Sequence, residues 1–274
     1  MTLHPQVGAF GMTSPFTLSG KNALVTGGSR GVGAAVARLL AQSGANVCIG
    51  YHSRRADAVR MVGECATFGV KAAAHASDIS TPAGASSLVD HTMRELGSLD
   101  ICVHSAGIWP VEEQSAATLG DDRWANTMRQ NTDAMFFVTR AALKAMMSGR
   151  RAAPGAFGGR IVLVASTAGQ RGEGMHSDYA ASKGAMISFV KSVAVEVAEF
   201  EITVNAVAPG WVDTEMCEVP FREGGKERIA RGIPVRRIAT PDDIAFPIVC
   251  LCFPASRHVT GEIVNVNGGS VLCG

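Results

Sequence analysis

The chain has 274 residues, of which 47% are hydrophobic and 18% charged, and its formal net charge is +1. This composition can fill a sizeable core and excludes a disordered, highly charged chain. Because there is no block of basic residues, charge gives no reason to expect a nucleic acid or a membrane surface as partner. The seven cysteines form no CxxC pair and no metal-site spacing. We therefore expect no metal ion, and a reducing, cytoplasmic location.

Residues 1–17 have neither the charged start nor the apolar stretch of a secretory signal, and we expect a loosely ordered N-terminal extension there. No apolar run approaches the roughly 18 residues that cross a bilayer. The sequence therefore predicts a soluble protein whose folded part occupies residues 18–274.

Short apolar runs alternate with helical segments along this folded part. The predicted strands lie near residues 22–26, 45–50, 70–76, 99–103, 160–165, 202–207 and 262–266. The predicted helices lie near residues 31–43, 54–68, 82–96, 122–148, 177–199 and 241–253. The alternation favours one domain with a parallel sheet and helices on both faces. The last helix has a clear start signal, with Thr240 as N-cap, Pro241 at the first helical position and Asp243 as capping partner.

Two stretches interrupt the alternation. Residues 149–159 indicate a surface insertion, whereas residues 209–238 form a longer segment of mixed charge after the sixth strand. Long segments without regular structure are often lids or binding loops in compact domains. We expect 209–238 to be a lid-like loop over a substrate site, and an ordinary surface excursion is an equally open alternative.

A glycine-rich loop, TGxxxGxG at residues 26–33, follows the first strand and opens the first helix. Its glycines permit a tight turn and let the backbone approach a pyrophosphate, which then lies against the positive N-terminus of the helix. Such a loop alone is a weak signal. Its position at the first strand–helix junction nevertheless favours a dinucleotide-binding site.

The second strand runs into residues 51–55, and the first carboxylate after it belongs to Asp57. An acid at the strand end would bind the ribose 2′-hydroxyl of NAD, whereas arginines pair with a 2′-phosphate. Arg30, together with Arg54 or Arg55, could supply that pairing. Each arginine could also be a solvated surface residue, but the missing acid and the available bases both favour NADP(H).

Tyr179 and Lys183 lie four residues apart, on one face of a predicted helix. A phenol titrates near ~10, and a neighbouring ammonium lowers that pKa, so that the phenol can exchange a proton with a substrate oxygen. Ser166 ends the preceding strand, where a hydroxyl could donate a hydrogen bond to a developing alkoxide. Taken singly, the pair could be surface neighbours and the serine a turn residue.

Five motifs occur in a fixed order. They are TGxxxGxG, the strand-end serine, YxxxK thirteen residues later, Ala-Pro-Gly at 208–210 and Asn-Val-Asn-Gly-Gly at 265–269. Through them, residues 18–274 resemble the short-chain dehydrogenase/reductase family, and within it the 3-oxoacyl-thioester (acyl-carrier-protein) reductase-like branch. The resemblance implies a single Rossmann-type doubly wound α/β domain with a seven-stranded parallel sheet and helices on both faces.

The resemblance also implies roles for four catalytic residues. Ser166 and Tyr179 would contact the substrate oxygen. Lys183 would bind the nicotinamide ribose and lower the pKa of Tyr179. Asn131 would hold a water of the proton relay. The implied cofactor-binding residues, with Asp78 at the adenine and Thr214 at the nicotinamide carboxamide or phosphate, are Gly27, Ser29, Arg30, Gly31, Val32, Gly33, His52, Ser53, Arg54, Asp78, Ile79, Ser105, Ala106, Gly107, Tyr179, Lys183, Pro209, Gly210, Val212 and Thr214.

One departure from the family pattern follows the fourth strand. The usual Asn-Asn-Ala-Gly is replaced by His104-Ser105-Ala106-Gly107, so the polar contacts of two asparagines must be remade. Ala106 and Gly107 still allow close approach of a cofactor. His104 could be an extra proton carrier or, as we expect, a strand-end histidine whose hydrogen bonds are satisfied locally.

These observations predict an NADP(H)-dependent oxidoreductase, a ketoreductase with Tyr179 as general acid/base and a small-molecule carbonyl or alcohol as substrate. One alternative is an NAD(P)-dependent alcohol, sugar or polyol dehydrogenase that works oxidatively. The other is a non-catalytic, cofactor-binding regulatory protein. We expect the substrate pocket to be lined by Ile108, Trp109, Thr167, Gly174, Met175 and Trp211. The predicted helix at 122–148 is apolar around much of its circumference, which favours a homodimer or homotetramer.

Overall fold

Seven strands form one fully parallel sheet in the computed structural model, which describes residues 14–148 and 153–272. The strands are β1 Asn22–Thr26, β2 Asn46–Tyr51, β3 Ala72–Ala76, β4 Ile101–His104, β5 Gly159–Val164, β6 Ile202–Pro209 and β7 Ile263–Val266. Their order across the sheet is β3-β2-β1-β4-β5-β6-β7. The strand order reverses between β1 and β4, and such a switch point opens a crevice at the carboxyl edge of the sheet.

Helices cover both faces of this sheet. They are α1 Gly31–Gln42, α2 Arg55–Ala66, α3 Pro82–Leu96, α4 Asp121–Met128, α5 Ala134–Met147, α6 Thr167–Arg171, α7 Ser177–Val197, α8 Glu218–Phe221, α9 Gly225–Gly232 and α10 Pro241–Cys252. Helices α1, α2 and α10 pack on one face, and α3, α5 and α7 pack on the other. The predicted Rossmann-type doubly wound architecture is confirmed.

Side-chain alternation along the strands feeds both cores. In β1, Ala23 and Val25 enter the core under α1 and α10, while Leu24 enters the core under α3 and α7. Every residue of β1 is buried, as expected for a central strand of a parallel sheet.

The start of α10 follows the prediction. Thr240 Oγ1 accepts the backbone N–H of Asp243 at 3.2 Å, and the Asp243 carboxylate accepts the backbone N–H of Thr240 at 2.7 Å. This reciprocal capping satisfies two N–H groups that the helix itself cannot pair.

Three segments differ from the predicted elements. The helix predicted at 122–148 is interrupted by a π turn, Arg129–Asp133, which separates α4 from α5. Helix α6 was not predicted. Residues 209–238 contain regular structure, namely a 3₁₀ turn at Glu215–Cys217 and helices α8 and α9. Most of the predicted N-terminal extension, and residues 149–152 of the predicted insertion, lie outside the described residues.

Within the described ranges, no helix is both long and apolar enough to cross a membrane. The same ranges contain no group of three or more His, Cys, Asp or Glu side chains that could hold a metal ion. Four cysteines, Cys48, Cys65, Cys102 and Cys252, are buried in the cores, where their thiols pack as small apolar residues.

Candidate active site

A cavity of about 670 Å³ opens at the carboxyl edge of the sheet. The segments that follow β1 to β6 all contribute to its wall. Each predicted cofactor-binding residue lines this cavity, as do Ser166, Tyr179 and Lys183. The strands therefore bring together, on one edge, residues that are far apart in the chain.

The glycine loop after β1 has the backbone that the motif predicts. Gly27 and Gly31 have φ values of 64° and 54°, in the left-handed region where a side chain is strained. Arg30 occupies the N-cap of α1 without a side-chain cap hydrogen bond. The first N–H groups of α1 are therefore left for an anion at the cavity wall, and the loop fits the pyrophosphate of a dinucleotide.

Thr26 forms hydrogen bonds with the segment that carries the His104-Ser105 replacement. Its Oγ1 accepts the backbone N–H groups of Ser105 and Ala106, each at 3.2 Å, and lies 3.1 Å from Nδ1 of His104. Because the two N–H groups use both lone pairs of the hydroxyl, its own hydrogen points to Nδ1. The Nε2 atom of His104 therefore carries the ring proton. This network holds the loop after β4 beside the glycine loop.

Tyr179 and Lys183 lie on the first two turns of α7 and face the cavity. The ammonium of Lys183 is 5.8 Å from the centre of the Tyr179 ring and donates a hydrogen bond to the carbonyl of Val164 at 2.8 Å. Burial lowers the pKa of Lys183 from 10.5 to about 8. The lysine is thus positioned by the end of β5, with its charge poorly solvated.

The pKa of Tyr179 departs from the prediction that Lys183 lowers it. Burial raises this pKa above the ordinary range of a phenol, and a hydrogen bond with Ser166 opposes the rise only in part. The prediction omitted the desolvation of a side chain that is only 9% exposed. The phenol is therefore protonated at neutral pH.

Ser166 lies two residues after the end of β5 and caps α6, since its Oγ accepts the backbone N–H of Ala168 at 3.1 Å. Helix α6 packs closely on α7 because Gly169 has no side chain. A Cβ atom there would lie 2.6 Å from the carbonyl carbon of Lys183. This close contact sets the serine hydroxyl beside the tyrosine.

Asn131 lies behind the cavity wall, fully buried in the π turn. Its Oδ1 accepts the backbone N–H of Ile108 at 2.8 Å, and its Nδ2 donates to the Ile108 carbonyl and to Ser182 Oγ, both at 3.0 Å. The side chain thus ties the loop after β4 to α7. Contact between Asn131 and a relay water stays a prediction.

Asp178, which the sequence did not indicate, anchors the start of α7. Burial tends to raise its pKa, but hydrogen bonds from Arg123 and Thr127 outweigh this and lower it. Arg123 Nε lies 3.0 Å and Thr127 Oγ1 lies 2.8 Å from the same carboxylate oxygen. Because Asp178 precedes Tyr179, this contact with α4 fixes the orientation of the helix that carries the phenol.

The two arginines predicted to bind a 2′-phosphate converge on one carboxylate. Arg30 Nη1 lies 2.5 Å and Arg54 Nη2 lies 2.6 Å from the same oxygen of Glu215. Their convergence supports Arg54 over Arg55 as the partner of Arg30, since Arg55 does not line the cavity. They are therefore not independent solvated arginines, although their partner is an acid that the sequence did not indicate.

The profile of a family described as enoyl-(acyl carrier protein) reductase matches residues 27–270. The matched region includes the glycine loop, Ser166, the Tyr179–Lys183 pair and the segment after β6. The chain belongs to the short-chain dehydrogenase/reductase family.

Curated relatives of this short-chain dehydrogenase/reductase include reductases from bacteria and fungi. It is 34% identical to a 3-oxoacyl-[acyl-carrier-protein] reductase of Vibrio cholerae, over 93% of this chain and 99% of the relative. It is also 34% identical to versicolorin reductase of Emericella nidulans, over 93% of this chain and 97% of the relative.

Solved structures of the family have the same fold. A dehydrogenase/reductase from Sinorhizobium meliloti superposes with a TM-score of 0.84 at 32% identity, covering 94% of this chain and 98% of that one. A short-chain dehydrogenase/reductase from Brucella melitensis, described as a glucose/ribitol dehydrogenase, gives a TM-score of 0.82 at 31% identity, covering 94% and 99%.

The end of the cavity near Tyr179 in this short-chain dehydrogenase/reductase has aromatic walls. The Trp109 ring stacks on His176 with centroids 4.8 Å apart and meets Trp211 edge-on at 6.0 Å. Of the six predicted pocket residues, Ile108, Trp109, Thr167 and Trp211 line the cavity, whereas Gly174 and Met175 do not. The structure turns the Met175 side chain outward, where it is 44% exposed.

The sequence patterns did not predict three further residues of this wall, Glu173, Met216 and Cys217. Burial raises the pKa of Glu173, against a lowering by His176 and by a hydrogen bond with Trp109. The only available signal was position: Glu173 comes six residues before Tyr179, and the other two follow the Thr214 motif. Neither spacing carries a chemical pattern that could be recognised from one sequence.

His104 gives a testable dependence of stability on pH. Burial, with a smaller effect of the Lys183 charge, lowers the pKa of His104 from 6.5 to about 3, and its Nε2 has no partner among the described residues. Below pH 6.5 His104 is protonated in the unfolded chain but stays neutral in the folded chain. The folded state therefore loses stability as pH falls towards 3. Between pH 7 and 5 this effect of His104 should lower the free energy of unfolding by about 2 kcal/mol.

We expect the free energy of unfolding in urea to fall less between pH 7 and 5 for His104→Asn than for the wild type, by about that amount. His258→Asn, at an exposed position, serves as the matched control. Equal losses in the wild type and His104→Asn would contradict the neutral, buried state of His104.

Proposed function

We propose that this short-chain dehydrogenase/reductase is an NADP(H)-dependent carbonyl reductase with Tyr179 as the general acid. The observation that carries the proposal is one cavity that joins two sets of residues. The glycine loop, Arg30 and Arg54 lie at one end, and Ser166, Tyr179 and Lys183 lie at the other. The sheet topology brings both ends of the cavity to one edge, but folding does not require these particular side chains at them.

A bound nicotinamide cofactor would supply the hydride. The residues of the chain perform the remaining tasks. Ser166 donates a hydrogen bond to the substrate carbonyl oxygen and orients it, and Tyr179 delivers a proton to that oxygen as negative charge develops on it. The buried ammonium of Lys183 stabilises the phenolate that remains. Glycines 27 and 31 let the backbone approach the cofactor phosphates.

The protonation state of Tyr179 fits the role of a proton donor in reduction. A protonated phenol is the form that a reduction consumes, whereas alcohol oxidation needs the phenolate. A phenol is protonated at neutral pH at its ordinary pKa, and burial raises that pKa further, so Tyr179 carries the proton that reduction consumes. An oxidative alcohol, sugar or polyol dehydrogenase would instead gain activity steeply as pH rises.

The choice of NADP(H) is supported by two facts about the adenosine end. β2 ends without a carboxylate, and the guanidinium groups of Arg30 and Arg54 converge at the cavity rim. Converging guanidinium groups fit the dianionic 2′-phosphate better than the neutral 2′-hydroxyl of NAD(H).

The substrate end is apolar and aromatic, with Trp109, Trp211 and Met216 in its wall. Pockets of this kind bind substrates largely by apolar contact and orient them with a few polar groups. The relatives include a 3-oxoacyl-[acyl-carrier-protein] reductase, versicolorin reductase and a hydroxynaphthalene reductase-like protein. A small-molecule ketone is therefore the proposed substrate class.

The test is the initial rate of NADPH consumption against 3-oxoacyl thioesters, cyclic ketones, diketones and keto sugars, with NADH in parallel. The Tyr179→Phe protein serves as the blank. Turnover of one class, with a higher kcat/KM for NADPH than for NADH, is the expected result. A higher kcat/KM with NADH would refute the cofactor assignment. Tight NADPH binding without turnover, but with alcohol oxidation, would favour the oxidative alternative, and no turnover in either direction would favour a regulatory protein.

We also propose a homodimer or homotetramer in the cytoplasm. Trp124 of α4 and Phe136 of α5 are 43% and 39% exposed, which leaves an apolar face on the helix pair. Burying such a face between copies of the chain is favourable. The buried cysteine thiols fit a reducing compartment.

A further inference from the structure

Glu215 occupies the arginine pair at the adenosine end of the cavity. One oxygen of its carboxylate lies 2.5 Å from Arg30 Nη1 and 2.6 Å from Arg54 Nη2. Arg54 Nη1 also lies 3.6 Å from the carboxylate of Asp57, so Asp57 offsets part of the charge of Arg54 as well. The donors that would bind a 2′-phosphate are therefore already partly paired with carboxylates.

The fold delivers this carboxylate from a distant part of the chain. Glu215 follows Thr214, whose methyl group lies close to Gly31, 3.4 Å from the position of a Cβ on that glycine. Glu215 begins the 3₁₀ turn that leads into α8. The contact between Thr214 and the glycine loop thus holds the start of the segment against the cavity and aims Glu215 at the arginines.

A phosphomonoester and this carboxylate cannot share the two arginines at full strength. Both are anions, and each needs the same N–H groups at short distance. The phosphate carries about −1.5 to −2 charges near neutral pH, and the carboxylate beside it would add repulsion. The ion pairs are half exposed, so they are weak enough for a phosphate to break.

We propose that Glu215 determines cofactor selectivity by competing with the 2′-phosphate for Arg30 and Arg54. The inference rests on the proposed NADP(H) site. Without the phosphate, Glu215 neutralises the arginines and ties the segment after β6 to the glycine loop. A 2′-phosphate displaces Glu215, and binding is weaker than the arginines alone would give. A cofactor with a 2′-hydroxyl leaves the pairing in place.

The test measures binding without turnover, by calorimetry with 2′,5′-ADP and 5′-AMP. These two probes differ only in the 2′-phosphate. We expect Glu215→Gln to tighten the Kd for 2′,5′-ADP by about three- to tenfold, the weight of two exposed ion pairs, and to leave 5′-AMP little changed. The effect should disappear when Arg30 and Arg54 are both replaced by alanine, because Glu215 and the phosphate then no longer share a binding partner.

Glu218→Gln is the matched control. It removes the same charge from the same segment, but Glu218 pairs with Arg222 at 2.9 Å and not with the arginine pair. It should leave the affinity for 2′,5′-ADP unchanged. Because Glu215 is 55% exposed, Glu215→Gln should fold normally, which a thermal melt verifies.

The outcomes separate this inference from the proposed function. Preference of the wild type for 2′,5′-ADP, with no gain in Glu215→Gln, would overturn the competition and leave the NADP(H) assignment intact. A wild type without that preference, which acquires it in Glu215→Gln, would support the competition and contradict the NADP(H) assignment. Absence of the preference in both proteins would refute both.

Discussion

Replacing Tyr179 by phenylalanine should lower kcat for carbonyl reduction by about 10²- to 10⁴-fold, the usual contribution of a positioned general acid. The phenol is the proton donor in the proposed reaction, and burial keeps it protonated. Phenylalanine retains the ring and its packing and removes only the hydroxyl, which costs about one hydrogen bond of stability. Affinity for NADPH, measured by fluorescence titration, should therefore stay near that of the wild type.

The matched control is the same substitution at Tyr51, the other tyrosine of the chain. Tyr51 ends β2, at the opposite end of the cavity. Because Tyr51 lies away from Ser166 and Lys183, Tyr51→Phe should leave kcat near that of the wild type. A Tyr179→Phe protein that keeps most of its turnover would defeat the assignment, whatever its affinity for NADPH.

The architecture could be predicted because it depends on hydrophobic periodicity, which a single sequence contains. β1 was predicted at 22–26 and found at Asn22–Thr26, and the helix predicted at 82–96 was found as Pro82–Leu96. The π turn at Arg129–Asp133 could not be predicted. It widens one turn of a helix, and no glycine or proline marks it, so the sequence reads as one continuous helix. Helix α6, with five residues, is too short to give a periodic signal.

The composition of the site was also predictable, for a topological reason. In a parallel sheet the carboxyl ends of all strands meet on one edge, so motifs at the strand ends must converge there. This rule brings Gly27, Ser166 and Thr214 to one cavity without knowledge of any side-chain contact. The rule does not decide the position of residues within helices: Tyr179 and Lys183 of α7 line the cavity, whereas Asn131 lies behind its wall.

Electrostatic relations within the site could not be predicted, because they depend on depth and on contacts distant in sequence. The pairing of Tyr179 with Lys183 suggested a lowered phenol pKa, but burial has the larger effect and raises it. The contacts of Glu215 span 185 residues to Arg30 and 161 to Arg54. No spacing rule links such positions, and the segment that carries Glu215 had been expected to lack regular structure.

Replacing Lys183 by methionine should lower kcat/KM for reduction by about 10²- to 10³-fold, as for loss of a preorganised group that stabilises charge in the transition state. Methionine has a similar length and suits a buried site, so the fold should survive. The carbonyl of Val164 would lose its hydrogen bond from Lys183, a cost of about 1–3 kcal/mol in the free energy of unfolding. Circular dichroism and thermal melts separate that cost from the kinetic effect.

The pH profile of kcat/KM distinguishes a charge effect of Lys183 from a structural one. Burial lowers the lysine pKa to about 8, so the ammonium is lost as pH rises through that value. Because kcat/KM reports the free enzyme, the wild-type rate of reduction should fall above about pH 8. Lys183→Arg keeps its charge throughout this range, since a guanidinium stays protonated. Its residual activity should therefore show no fall near pH 8, whereas a fall at the same pH would assign that limb to another group and reduce Lys183 to a positioning role.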